Sequence, residues 1–135
     1  MNPILVDTDI LSEFFRGNPK VIYNFEKYLQ CYDAINFSII TYYEILNGLL
    51  YKEAKNQIQK FAAFAELNKV IPLTRSATKM AAEIYSDLRK KGDLITYTDS
   101  LIAGIAISKD MQLATNGSRH FKGVEKIVLQ DWVHI

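Results

Sequence analysis

The chain opens with Pro3-Ile4-Leu5-Val6-Asp7-Thr8-Asp9-Ile10-Leu11. An apolar run without alternation reads as a strand buried on both faces, and such strands lie inside parallel sheets covered by helices. This one runs straight into a carboxylate and a hydroxyl, where a helix takes over. Ligands of open α/β sheets bind outside the carboxyl ends of the strands. Asp7 therefore marks one wall of a candidate site, to which other acids of the chain must converge.

Residues 9–15 read as a short helix that stops near Gly17-Asn18-Pro19. Pro19 suits the first position of the next helix, where Val21, Phe25, Tyr28 and Leu29 recur as one buried face. Residues 33–37 are a second strand, and Ser38 or Thr41 can cap the helix that follows. That helix, residues 41–52, turns Tyr42, Ile45, Leu46 and Leu49 inward. Glu44 falls on its other side, with Gly48 one turn further on. Residues 53–68 repeat the amphipathic pattern with Ile58, Phe61, Ala62, Phe64 and Ala65 inward, which predicts a helical hairpin over 41–68. Its surplus of aromatic and aliphatic groups suits either a dimer contact or the core.

Pro72 confines the apolar stretch 70–73 to a sheet edge or a link. The clearest helix is 75–91, with Ala77, Met80, Ala81, Ile84, Tyr85 and Leu88 on one face. Arg89, Lys90 and Lys91 suit the negative end of its dipole, and Gly92 suits the position past it. Residues 93–97 read as a loop, and Thr98-Asp99-Ser100 opens an apolar helix over 101–109. Ala103, Gly104 and Ala106 make that helix thin and predict close packing against the sheet. Residues 111–115 are a strand, Asn116-Gly117-Ser118 a turn, 126–129 the last strand, and Trp132 closes the core. The alternation predicts a three-layer α/β/α sandwich around a central, mostly parallel sheet, as a single domain over 1–135.

Sixteen Lys and Arg against fifteen Asp and Glu leave a formal charge of +1, which neither demands nor excludes a nucleic-acid partner. Cys31 stands alone, so no internal disulfide forms and a reducing cytoplasm is the expected setting. No apolar run is long enough to span a bilayer.

Three acids occupy similar places: Asp7 ends the first strand, Glu44 lies one turn into a helix after the second, and Asp99 begins a buried helix. Oxygen ligands in that number suit Mg²⁺ or Mn²⁺, which keep several waters and share substrate phosphate. Each acid also has a plain structural reading, as a helix cap or a first-turn anion. Asp99 resists it most, since the helix behind it carries no further polar side chain between Ser100 and Ser108. Asp9 is either a first-turn acid or a helper to Asp7.

Four blocks then resemble a known family in order and spacing: Val6-Asp7-Thr8-Asp9; Ser38-Ile39-Ile40-Thr41-Tyr42-Tyr43-Glu44-Ile45-Leu46-Asn47-Gly48; Leu88 to Gly92 with Thr98 to Ala103; and Thr115 to Phe121 with Trp132. They are similar to the PIN-domain nucleases, and within them to the VapC-type toxins of type II toxin–antitoxin systems. The resemblance covers essentially the whole chain. It implies a Mg²⁺- or Mn²⁺-dependent endoribonuclease that hydrolyses structured RNA, tRNA above all, through a metal-activated water, leaving 5′-phosphate and 3′-hydroxyl ends. Asp7, Glu44 and Asp99 are the acids carried over as catalytic and metal-binding residues. The family often places a fourth acid or an Asn two positions beyond the Thr of the last block, where this chain has Gly117. Asn116 or Asp9 could serve in its stead, with Thr8, Thr115 and Ser118 as supporting hydroxyls. The resemblance also implies a cognate VapB-like antitoxin and a homodimer.

Crowded carboxylates repel one another and raise a pKa; a divalent cation relieves that repulsion and offsets charge developing on a phosphate. Basic residues are then expected to rim the pocket and draw in the RNA backbone: Arg16, Arg89, Lys90, Lys91, Arg119 and Lys122. The rival reading is a catalytically degenerate PIN-like module that binds RNA or protein without cutting. Gly117 favours that rival, and the three intact acids oppose it. A receiver-type phosphoacceptor fits less well, because no Lys follows the strand that ends at Thr115.

Overall fold

A computed structural model describes residues 2–134. Five strands form one sheet in the order β3-β2-β1-β4-β5: β1 is Ile4–Val6, β2 Asn36–Ser38, β3 Lys69–Ile71, β4 Gln112–Ala114 and β5 Leu129–Gln130. Every pairing is parallel, with Leu5 opposite Asn36 and Leu113, and Phe37 opposite Val70. The order reverses beside β1, the first strand and the central one. A crevice for ligands opens at such a reversal, at the carboxyl ends of the strands.

Six helices cover the sheet: α1 Thr8–Phe15, α2 Pro19–Leu29, α3 Ile39–Tyr51, α4 Lys55–Leu67, α5 Arg75–Lys90 and α6 Tyr97–Ser108. Alternation along the strands divides the core in two. Ile4, Val6, Phe37 and Ala114 face Ile10, Leu11, Val21, Phe25, Tyr28 and Phe61 from α1, α2 and α4. Leu5 and Leu113 face Ala77, Leu88, Ile102, Ile105 and Phe121 on the other side. Three layers follow from that division, as expected.

Buried polar side chains near the first two strands are paired. Asn36, buried in β2, donates through Nδ2 to the Ile4 carbonyl and to the Tyr28 hydroxyl, each at 3.1 Å. The same hydroxyl accepts from the Ile4 amide at 3.1 Å, so one amide side chain ties β1, β2 and α2 together. Ser38 caps α3, its Oγ accepting from the Thr41 amide at 3.0 Å. Trp132 is buried against Phe25 and Tyr28, closing the first core as expected.

Several expectations need correction. Leu29 ends α2 exposed and Ala62 lies outside on α4, because the helical period runs on past the surface that the helix can cover. The last strand is Leu129–Gln130, later than expected over 126–129. The Val128 carbonyl already accepts from the Leu113 amide, but only Leu129 and Gln130 come into register with β4. The small residues of α6 serve α5 as well as the sheet: a Cβ on Gly104 would lie 2.5 Å from the Ala77 carbonyl oxygen. The loop expected over 93–97 ends one residue early, since Thr96 caps α6 and Tyr97 opens it. Cys31 is exposed and free, and among the described residues no helix is long and apolar enough to cross a membrane.

Candidate active site

Asp7 leaves the end of β1 with its amide bonded to the Ala114 carbonyl at 2.9 Å and caps α1. Its side chain is 6% exposed. Oδ1 accepts from the Thr8 amide at 2.8 Å, and Oδ2 from the Thr115 hydroxyl at 2.8 Å. Burial pushes its carboxyl up to about 7, with the charge of Asp9 adding most of the rest and Asp99 a smaller part. The two hydrogen bonds oppose the shift without cancelling it.

Asp9, in the first turn of α1, is closer to this centre than the sequence indicated. Its Oδ2 accepts from the Asn116 amide at 3.1 Å, and its Oδ1 is buried with no hydrogen-bond partner. Burial raises its pKa too, with Asp99 contributing. Asp7, Asp9 and Asp99 thus form the mutually interacting acids of the cluster.

Glu44 joins from the flank. Thr8 links it to Asp7, donating its amide to Asp7 and its hydroxyl to Glu44 Oε1 at 2.6 Å. That hydroxyl has one proton, so at 2.9 Å it must accept from Thr41 Oγ1, which in turn accepts from Ser38 Oγ at 3.3 Å. A chain of three hydroxyls therefore points every proton toward one carboxylate. The sequence indicated Thr8 as a supporting hydroxyl but gave Ser38 and Thr41 only capping roles. Their part depends on α1 and α3 meeting, which no local pattern shows.

The turn after β4 completes the constellation. Thr115 bonds Asp7, and the Asn116 main chain, rather than its side chain, bonds Asp9. Ser118 begins a 3₁₀ turn, Ser118–Phe121, and is exposed, as are Arg119 and Lys122 on the same turn. Arg16 lies beyond α1, paired with Glu13 at 2.9 Å, and lines a groove that also takes in Thr8 and Glu44. Arg89 and Lys90 stand in the last turn of α5, where the helix dipole accounts for them.

The acids do not form a ready cation cage. Among the described residues, no three His, Cys, Asp or Glu side chains are grouped so as to hold a metal ion. The donor set nevertheless fits a hard divalent cation: carboxylate oxygens predominate, and one of them, Asp9 Oδ1, is buried and unsatisfied. A charge held at such cost has reason to find a counter-ion.

A parallel sheet with acids gathered at the reversal of its strand order defines the class: an α/β protein with an acidic site at the carboxyl ends of its strands. The chain belongs to the PIN domain family, whose model matches residues 4–127. Ribonuclease VapC2 of Rickettsia felis is 29% identical over 129 residues, covering 95% of this chain and 96% of that protein. Ribonuclease VapC1 of Methanocaldococcus jannaschii is 29% identical over 127 residues, covering 94% and 85%. Among solved structures, VapBC2 of Rickettsia felis bound to a promoter DNA fragment superposes with a TM-score of 0.84 at 28% identity, over 96% of this chain and 98% of that one. DNA-bound VapBC of Salmonella typhimurium gives 0.85 at 22% identity over 98% and 99%, a likeness of fold.

Proposed function

We propose that this chain is the VapC-type ribonuclease toxin of a type II toxin–antitoxin pair, a single PIN domain over its whole length. Its substrate is structured RNA, with tRNA the first class to test. The observation that carries this reading is Asp7: buried at the end of the central strand, raised to about 7, and pressed by Asp9 and Asp99. Asp7, Asp99 and Glu44 would hold Mg²⁺ or Mn²⁺, with Asp9 beside them. When bound, the cation supplies Lewis-acid activation of water and offsets charge on the phosphate. Thr115 and Thr8 fix the carboxylates of Asp7 and Glu44. Arg119, Lys122 and Arg16 draw the RNA backbone to an opening that is otherwise negative, with Arg89 and Lys90 serving the wider approach.

The partner is a VapB-like antitoxin. Phe15, Ile45, Leu49 and Phe61 line a groove of about 600 Å³ that ends at Glu44 and Thr8. An antitoxin tail lying there would carry a basic side chain among the acids and replace the cation by charge substitution. A second copy of this chain would cover the exposed Tyr43, Leu50, Tyr51 and Leu67 of the α3–α4 hairpin.

The test is cleavage of purified tRNA with Mg²⁺ or Mn²⁺ by the wild type and by Asp7→Asn, with the new ends sequenced. Cuts bearing 5′-phosphates are expected from the wild type, reduced by more than about a hundredfold in the variant. Full activity in Asp7→Asn removes the site assignment, and RNA binding without cutting by the wild type makes the chain a degenerate module.

A further inference from the structure

The turn that follows β4 reaches three aspartates with three kinds of atom. Thr115 gives a hydroxyl to Asp7 at 2.8 Å and Asn116 a main-chain amide to Asp9 at 3.1 Å. The third contact comes from His120, whose Nδ1 stands 3.7 Å from Asp99 Oδ2. Among the described residues Asp99's carboxylate makes no hydrogen bond, and this imidazole pairs with it when protonated. The turn is held firmly: His120 N donates to the Gly117 carbonyl at 2.9 Å, Gly117 N to Thr115 Oγ1 at 3.0 Å, and Phe121 is buried.

Gly117 explains how the ring comes to lie there. Its φ of −96° is open to any residue, so backbone freedom is not the reason for glycine. Space is. A Cβ at 117 would lie 3.0 Å from His120 Nδ1 and 3.3 Å from its Cε1, tighter than ordinary contact. The imidazole occupies the volume that a side chain at 117 would fill.

We infer that His120 is a positioning residue of the acidic cluster: seated over Gly117, it orients Asp99 through Nδ1 toward the bound cation. This rests on the ribonuclease reading above. The approach of 3.7 Å is longer than a hydrogen bond, as such contacts often are before ligands arrive. Half-exposed ion pairs add little to stability, whereas partners that orient a metal ligand commonly govern metal affinity by tenfold or more. The two roles are therefore separable by measurement.

The experiment is calorimetric titration of the full chain with Mn²⁺, alongside thermal unfolding in EDTA. His120→Ala is expected to weaken Mn²⁺ binding about tenfold with the unfolding midpoint unchanged. His120→Asn, whose amide nitrogen falls near the place of Nδ1, retains most of the affinity. His120→Gln, which imitates the other ring nitrogen, behaves like the alanine variant. Gly117→Ala pushes the ring aside and weakens binding, and adding it to His120→Ala weakens it no further. Wild-type affinity in His120→Ala overturns the inference, as does tighter binding by His120→Gln than by His120→Asn. Should Asp7→Asn abolish Mn²⁺ binding while His120→Ala leaves it intact, the inference falls and the ribonuclease reading stands. A wild type that binds no Mn²⁺ removes both.

Discussion

Above neutral pH, Asp7 carries a charge that its surroundings disfavour. Its folded pKa of about 7 lies above the ordinary carboxyl value of 3.8, so between those values the folded protein holds a proton that the unfolded chain has lost. This group's effect on stability is therefore most favourable below about pH 4 and declines as pH rises to about 7. The full difference is on the order of 4 kcal/mol. Metal-free protein in EDTA is thus expected to melt at a lower temperature at pH 8 than at pH 5, by this group's contribution. Asp7→Asn, neutral throughout, should melt higher than wild type at pH 8 and show a flatter profile; melting curves across pH decide it. Asp7 and Asp99 stood out in the sequence as candidates because each marks a segment boundary beside an apolar run, and Glu44 because it lies on the polar side of its helix one turn before Gly48. It left the Thr8–Thr41 and Thr8–Glu44 contacts hidden, since they join positions 33 and 36 residues apart. His120 was hidden too, because its neighbour is decided by the shape of a turn.

Helices carry their pattern over three or four turns, and all six were readable to within a few residues. Strands of two or three residues carry almost none. Alternation cannot fix the register of so short an edge strand, which is why β5 was placed early. The contact between α5 and α6 was half legible: the small residues of α6 announced a close neighbour without saying which one. Gly104 lies against the Ala77 carbonyl and the Ala81 amide and Cβ. Gly104→Ala is therefore expected to destabilise by about 1–3 kcal/mol through overpacking, read as a lower denaturant midpoint. Because Asp99 stands in the first turn of the same helix, the variant should also bind Mn²⁺ less tightly. Wild-type stability would show that the two helices have slack between them.

For the molecule as a whole, relief of carboxylate repulsion should appear as binding-linked stability. At a free Mn²⁺ concentration a hundred times its dissociation constant, the gain is about 2.7 kcal/mol. The midpoint is expected to rise by several degrees, to return on adding EDTA, and not to move in Asp7→Asn. Trp132, the single tryptophan, packed on Phe25 with ring centroids 5.7 Å apart, gives a fluorescence signal for that transition.

The layout of the sheet has a further consequence during synthesis. Asp7 is made 108 residues before the Thr115 hydroxyl that holds it, and the amide that holds Asp9 belongs to the residue after that. A growing chain has no finished centre until residues 115 and 116 have left the ribosome and β4 has settled beside β1. The acidic cluster is thus assembled late, when the turn after β4 reaches it, and not piece by piece.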